Sequence, residues 1–192
     1  MTSLIYYLPG HGGHLETGLG AELMSRGFDV TGRETRGEFK SLPFASQVDL
    51  VAQDLTSMCW SEDAHVVANS FGAYLFLHAQ AQLSPYIGKV LLLSPIVGEF
   101  AMDEPDNDEE AGGWLGFIPP LAKKLSELIS NGTYPAPKQC EIHVGSEDWQ
   151  SNPNSVSTLG QSLSLPVHVV PGAGHALPKA YVKALLDDWL PS

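Results

Sequence analysis

The sequence predicts an α/β fold built on a doubly wound, mostly parallel sheet of about six strands. Three observations lead there. Short, continuously apolar runs such as HVVANS (65–70) and GKVLLLSP (88–95) recur along the chain, and strands buried on both faces read this way. Helical patterns separate those runs, which is how parallel neighbours are connected. The polar and glycine-bearing segments fall directly after the strands, where open α/β sheets bind their ligands.

The elements follow in order. SLIYYLP (3–9) is the first strand, and LETGLGAELMSRG (15–27) an amphipathic helix that Gly27 punctuates, as a glycine just past a helix end does. FDVTGRET (28–35) is the second strand; a polar loop and a helix at about 45–60 follow, with Val48, Val51, Leu55 and Met58 on one face. HVVANS is the third strand, and Phe71 to Leu83 the helix after it. GKVLLLSP, QCEIHVG (139–145) and PVHVVPG (166–172) supply strands four to six, and YVKALLDDWL closes the chain as a helix.

One segment breaks the rhythm. Residues 98–134 hold an acidic stretch, GEFAMDEPDNDEE, then GGWLGFIPP, then LAKKLSELIS with apolar periodicity through Leu121, Leu125, Leu128 and Ile129. A connection this long in a compact domain is functional or disordered. The expectation is a small cap inserted into a single domain spanning 1–192, with Trp114 and Phe117 lining the substrate pocket.

The chain has 10 basic and 22 acidic residues, a formal net charge of −12, and shows no basic stripe. That argues against a nucleic-acid partner, which needs clustered Lys and Arg. No apolar run reaches membrane-spanning length, and the opening MTSLIYYLPG lacks the basic start of a signal peptide. Cys59 and Cys140 fit no metal-ligand or CxxC spacing. A single disulfide between them is one reading; two free thiols in a reducing compartment is the favoured one, so a cytoplasmic location is expected.

The chemistry gathers at strand ends. VVANSFG (66–72) runs a strand into a hydroxyl flanked by small residues, the pattern of a nucleophile elbow; a strand end with a Ser helix cap would look similar. A serine hydroxyl is a poor nucleophile unless a base takes its proton, and histidine suits that task near neutral pH. Of seven histidines, His65, His143 and His168 lie in or beside strands, His78 follows on the helix after Ser70, and His14 opens a helix. His175 differs in sitting in a glycine-rich loop, GAGHALP, just past the last strand.

A histidine base needs a carboxylate to fix its tautomer. GSEDW, after the fifth strand, offers Asp148, three residues beyond Gly145, with Glu147 in reserve; either could instead cap the following helix. The order Ser70, Asp148, His175, each after a different strand, is the chain order of the α/β-hydrolase triad. LPGHGGH (8–14) adds glycines that let backbone approach a ligand. As a dinucleotide loop it fails at Leu15, where GxGxxG needs its third glycine.

On these motifs the chain resembles the α/β-hydrolase superfamily of serine hydrolases over nearly its whole length. LPGHGG looks like that family's HGxGG loop with Pro9 replacing the histidine, ANSFG like GxSxG with Ala68 for the first glycine, GSED like the acid turn and GAGH like the histidine loop. Residues equivalent to the family's first two strands are absent. The resemblance implies a nucleophile at Ser70, a base at His175, an orienting acid at Asp148, and oxyanion N–H donors at His11 and Phe71. It implies a carboxylesterase or thioesterase acting on a small neutral acyl substrate, with no metal or organic cofactor. The same scaffold also hosts lyases, C–C bond hydrolases and binding modules, since a fold does not fix a function.

Overall fold

The computed structural model describes residues 3–97 and 125–191. Its six strands are β1 (Leu4–Leu8), β2 (Asp29–Gly32), β3 (Ala64–Asn69), β4 (Lys89–Leu93), β5 (Gln139–Gly145) and β6 (Val167–Val170). They form one sheet in the order β2-β1-β3-β4-β5-β6, with every neighbouring pair parallel. All six are strands that the sequence pattern marks. The helices are α1 (Leu19–Ser25), α2 (Gly37–Ser41), α3 (Phe44–Met58), α4 (Phe71–Gln80), α5 (Pro153–Leu163) and α6 (Lys179–Trp189), and residues 125–130 are also helical.

Strand residues alternate between two cores, as the period of a strand requires. Tyr6, Leu8, Val66, Ala68, Val90, Leu92, Ile142 and Val144 join a larger cluster with α3, α4 and α5. Ile5, Tyr7, Val67, Leu91 and Leu93 face the other way, into a smaller cluster with Leu23 of α1 and Leu186 and Trp189 of α6. Helices therefore cover both faces, which is why the central strands β1, β3 and β4 read as unbroken apolar runs. Every residue of α4 is buried. A helix apolar all round can only lie inside, and α3 shields its outer side through Phe44 and Val48.

The departures from the sequence pattern have local causes. Met58 ends α3 and is 52 % exposed, whereas Val48, Val51 and Leu55 are buried as their spacing requires. α1 starts at Leu19 rather than 15, because Gly18 takes φ 56, ψ −120, outside the helical region. The polar loop before α3 contains the single-turn α2. The helix after the acid turn, for which periodicity supplies no bounds, starts with Pro153 behind Asn152, whose side chain accepts from the N–H groups of Asn154 and Ser155. Cys59 and Cys140 are both buried and free, and burial pushes the Cys59 thiol up to about 11.

Trp114 and Phe117, the aromatic residues assigned to the pocket, lie outside the described residues, as does the acidic stretch. Of residues 98–134, the described part is anchored to the larger core. Leu125 is buried, Leu128 and Ile129 pack against the same cluster, and buried Tyr134 donates its hydroxyl to the carbonyl of Leu77 at 3.0 Å.

The strand order reverses between β1 and β3. β1 leads into α1 on the smaller-core side, and β3 leads into α4 on the larger-core side. The two connections diverge and leave a crevice above the carboxyl ends of these strands, the usual ligand position in such sheets. The Pro9–His14 loop and Ser70 occupy it.

Candidate active site

Ser70 stands at the tip of the β3–α4 turn with φ 53 and ψ −116. A non-glycine residue in that region is strained by about 1–3 kcal/mol, so surrounding contacts must hold it there. Its N–H donates to the carbonyl of Leu93 at 2.9 Å, and its own carbonyl accepts from Tyr74 N–H in the first turn of α4. Gly72 explains how so sharp a turn fits: a Cβ at that position would lie 2.1 Å from the Leu8 carbonyl oxygen. Ala68 brings a methyl where the related motif has glycine, and it is accommodated fully buried in the larger core.

Gly72→Ala is accordingly expected to push β1 away from α4 and to displace the Pro9–His14 loop with it. Overpacking of this kind costs about 1–3 kcal/mol. Activity should fall further than that destabilisation alone would cause, which comparing residual activity with the folded fraction from thermal melts will check.

His175 lies in the β6–α6 loop with its side chain 20 % exposed. Its Nε2 is 2.8 Å from Ser70 Oγ, and its Nδ1 is 3.0 Å from both carboxylate oxygens of Asp148. The three side chains thus form one hydrogen-bonded line. Asp148 is buried, whereas Glu147 is exposed, so of the two carboxylates in GSEDW it is Asp148 that meets the imidazole.

The acid turn and the histidine loop brace one another. A Cβ on Gly145 would lie 2.1 Å from the Ala173 carbonyl oxygen and 2.4 Å from that of Gly174, so only glycine lets the two backbones lie in contact. Glu147 N–H donates to the carbonyl of Ala173, and Gly172 N–H donates to Ser146 Oγ. The glycine-rich character of both segments is therefore packing as much as flexibility.

Around Asp148, the N–H groups of Gln150 and Ser151 each donate to Oδ1 at 2.9 Å. Burial by itself would raise the pKa of this carboxyl, but the His175 hydrogen bond and the two backbone donors outweigh it and hold it below the usual carboxylate range. Ser151 does more than donate its amide. Its fully buried hydroxyl donates to the carbonyl of Ser94 at 2.7 Å and sits 3.4 Å from His175 Nδ1, tying the acid turn to the end of β4.

The Pro9–His14 loop is held by Thr35, which is almost wholly buried. Thr35 donates its hydroxyl to the Gly10 carbonyl and accepts from Gly13 N–H, while its own carbonyl accepts from Gly12 N–H. Its position just after β2, against a loop more than twenty residues earlier, is set by the parallel β1–β2 pairing, a signal absent from the local sequence. The loop lies over the start of α4, with the His11 and Phe71 rings edge to face at 5.7 Å. At that start the first N–H groups of the helix have no intrahelical acceptor.

Ser70 and His175 open into a cavity of about 690 Å³ that His11 and Gly10 also line. Its apolar wall comes from Leu19 of α1, Leu93 of β4, and Leu177 and Val182 at the start of α6. Leu19 and Val182 lie in helices, Leu93 ends a strand and Leu177 precedes a helix, and packing within those elements already suffices to explain each. Among the described residues, no helix is long and apolar enough to cross a membrane.

No protein-family model matches the chain, and no curated protein does. Solved structures do match. The ydeN gene product from B. subtilis is 14% identical with a TM-score of 0.66, covering 96% of this chain and 97% of that one. Est1E from Butyrivibrio proteoclasticus is 16% identical with a TM-score of 0.65, over 91% of this chain and 80% of that one. A monoacylglycerol lipase from Paleococcus ferrophilus is 14% identical with a TM-score of 0.63, over 96% and 92%. At such identities the likeness speaks for architecture. Taken with the six-stranded parallel sheet, it establishes that the chain has the fold of the α/β-hydrolase superfamily.

Proposed function

We propose that the protein is a serine hydrolase that cleaves a small neutral ester or thioester through an acyl-enzyme intermediate. The observation that carries this reading is the continuous line from Ser70 Oγ through His175 to buried Asp148. In it, His175 Nε2 accepts the Ser70 proton as Oγ bonds to the substrate carbonyl carbon. The carbonyl oxygen becomes an oxyanion, which the backbone N–H groups of His11 and Phe71 receive, aided by the positive end of α4. Collapse of this intermediate breaks the bond to the leaving group, which takes the proton from Nε2. A water then gives its proton to Nε2 and attacks the acyl carbon, and the acid leaves as Ser70 regains its proton.

Asp148 stays ionised throughout, orienting Nδ1–H and stabilising the imidazolium. A carboxyl held below its usual range suits that role. Leu19, Leu93, Leu177 and Val182 give an uncharged acyl group an apolar wall, in a cavity that Glu22, Lys179 and Lys183 also line, and none of these steps needs a metal or organic cofactor. Small-molecule recognition of this kind is the partner expected, rather than a nucleic acid.

A fluorophosphonate probe tests the reading directly, because its phosphorus is attacked only by an activated hydroxyl. The expected result is one covalent adduct, mapped to Ser70 by peptide mass spectrometry and absent after His175→Ala. A chain that binds acyl ligands without turning them over would stay unlabelled, as would one whose triad is idle.

A further inference from the structure

Away from the Ser70 cavity, three side chains on the smaller-core face of the sheet remain unexplained. Glu141 and His143 are two residues apart on β5, so both project from one face. His168 on β6 is the register partner of His143, so its side chain projects beside them. One ligand atom from each of the three lies within 4.8 Å of the others. His143 Nε2 and His168 Nε2 are each 3.8 Å from a Glu141 carboxylate oxygen.

We propose that Glu141, His143 and His168 form a binding site for a divalent cation of the zinc kind. Two imidazoles and one carboxylate are a donor set that suits such a cation and does not suit magnesium, which asks for six oxygens. A tetrahedral zinc with bonds of about 2.0–2.1 Å holds its ligands about 3.4 Å apart. The two contacts reach different oxygens of Glu141, Oε1 from His143 and Oε2 from His168, and the three ligand atoms lie within 4.8 Å of one another, so the gaps need to close by up to about 1.4 Å. The His168 ring, stacked on His143 at 4.5 Å with an interplanar angle of 14°, must turn out of that stack, and its half-exposed side chain leaves room to do so.

A second, independent observation points to a ligand here. The His143 side chain is only 4 % exposed, yet its Nε2 has no hydrogen-bond partner among the described residues. A buried polar atom in that state is unfavourable and rare. Its other nitrogen, Nδ1, is 2.7 Å from Tyr181 Oη on α6. With Nδ1–H donating to that hydroxyl, Nε2 carries the lone pair, which is how metal-ligating histidines are oriented.

The three side chains open into a cavity of about 450 Å³ that, among the described residues, shares no lining residue with the one at Ser70. Asp188 adds a second carboxylate to its wall. Lys89 lines it too, but its ammonium is engaged by the carbonyl of Trp189 at 3.1 Å. Remaining coordination positions are left for water. Bound there, the cation would clamp edge strand β6 to β5, the two strands whose ends carry the His175 loop and the Asp148 turn. Its role is structural, and the hydrolytic chemistry does not pass through it.

Calorimetric titration of the full chain with zinc chloride, after removal of trace metal with EDTA, tests the site. Wild type should bind one zinc and melt at a higher temperature with zinc than with magnesium. His168→Ala and Glu141→Gln, both at partly exposed positions, should weaken binding by more than about tenfold while keeping metal-free melting and ester turnover. Tyr181→Phe should weaken it about 10- to 100-fold, the effect of losing an outer hydrogen bond to a ligand. His175→Ala should bind zinc as wild type does, which separates this site from the triad. The absence of saturable zinc binding overturns the proposal. So does binding that survives both His168→Ala and Glu141→Gln, or that is lost with His175→Ala.

Discussion

Ser70→Ala is expected to lower kcat on a neutral short-chain ester such as p-nitrophenyl butyrate by about 10⁴- to 10⁶-fold while the protein stays folded. The size of the loss follows from removing the atom that forms the acyl bond. What survives is the fraction of catalysis contributed by binding and oxyanion stabilisation, about 10³–10⁴ over water in enzymes of this chemistry. Stability should change little. Alanine keeps the Cβ that makes φ 53 unfavourable, so strain at the elbow persists, and the Ser70 N–H bond to Leu93 needs no side chain. Among the described residues, the hydrogen bond lost is that from Oγ to His175 Nε2.

Two measurements separate this mechanism from a general weakening of the site. Thermal melts of wild type and variant should agree to within the effect of a substitution worth about 1 kcal/mol or less. The double variant Ser70→Ala, His175→Ala should be scarcely slower than Ser70→Ala alone, since a base without its nucleophile has no proton to take. Full turnover by Ser70→Ala would remove Ser70 from the mechanism. Multiplying losses in the double variant would show that His175 acts in some other way.

Much of this arrangement is legible in the sequence, for identifiable reasons. A strand buried on both faces must be apolar along its length, so β1, β3 and β4 announce themselves, while the less buried edge strands β2 and β6 are marked by β-branched residues between helical patterns; the strand ends then direct attention to Ser70, Asp148 and His175. Chain order adds what local motifs lack, because VANSFG, GSEDW and GAGHALP are each weak by themselves. The choice between Asp148 and Glu147 is another matter. Neighbouring residues in a turn point in different directions, and only the crossing of the Gly145 turn by the 173–174 backbone decides which carboxylate is enclosed.

Residues that act through contacts between strands leave no such trace. Thr35 reaches the Gly10 loop, and Ser151 reaches the end of β4, because parallel pairing juxtaposes segments distant in sequence. His143 and His168 read as ordinary strand histidines for the same reason: nothing in the sequence gives the register that sets them side by side. The pocket wall is similar. Leu19 and Val182 satisfy helical periodicity and Leu177 lies just before a helix, and their exposure to the cavity depends on where α1 and α6 begin.

Asp148→Asn should lower kcat by about 10⁴-fold, while Glu147→Gln leaves it near the wild-type value. An amide at 148 can still accept from the N–H groups of Gln150 and Ser151 through its oxygen. It then presents its NH2 group to His175 Nδ1, which must become the acceptor, so the ring proton moves to Nε2 and faces Ser70. The imidazole is held in place with its lone pair on the wrong nitrogen. Glu147 is exposed, and its contribution to the turn is its backbone N–H to Ala173, which the substitution spares. An active Asp148→Asn with an inactive Glu147→Gln would transfer the acid role to Glu147.

The same variant carries a second, independent readout. The Asp148 carboxyl is held below its usual range in the folded protein, whereas in the unfolded chain an aspartate titrates near the ordinary value of about 3.9. Folding therefore favours the ionised form. The resulting stabilisation is fully present above the unfolded pKa and is lost as pH falls through the folded one. Asparagine has no such dependence. Urea midpoints measured between pH 7 and pH 3 should decline more steeply for wild type than for Asp148→Asn, and parallel declines would show that the native contacts do not favour the ionised carboxylate.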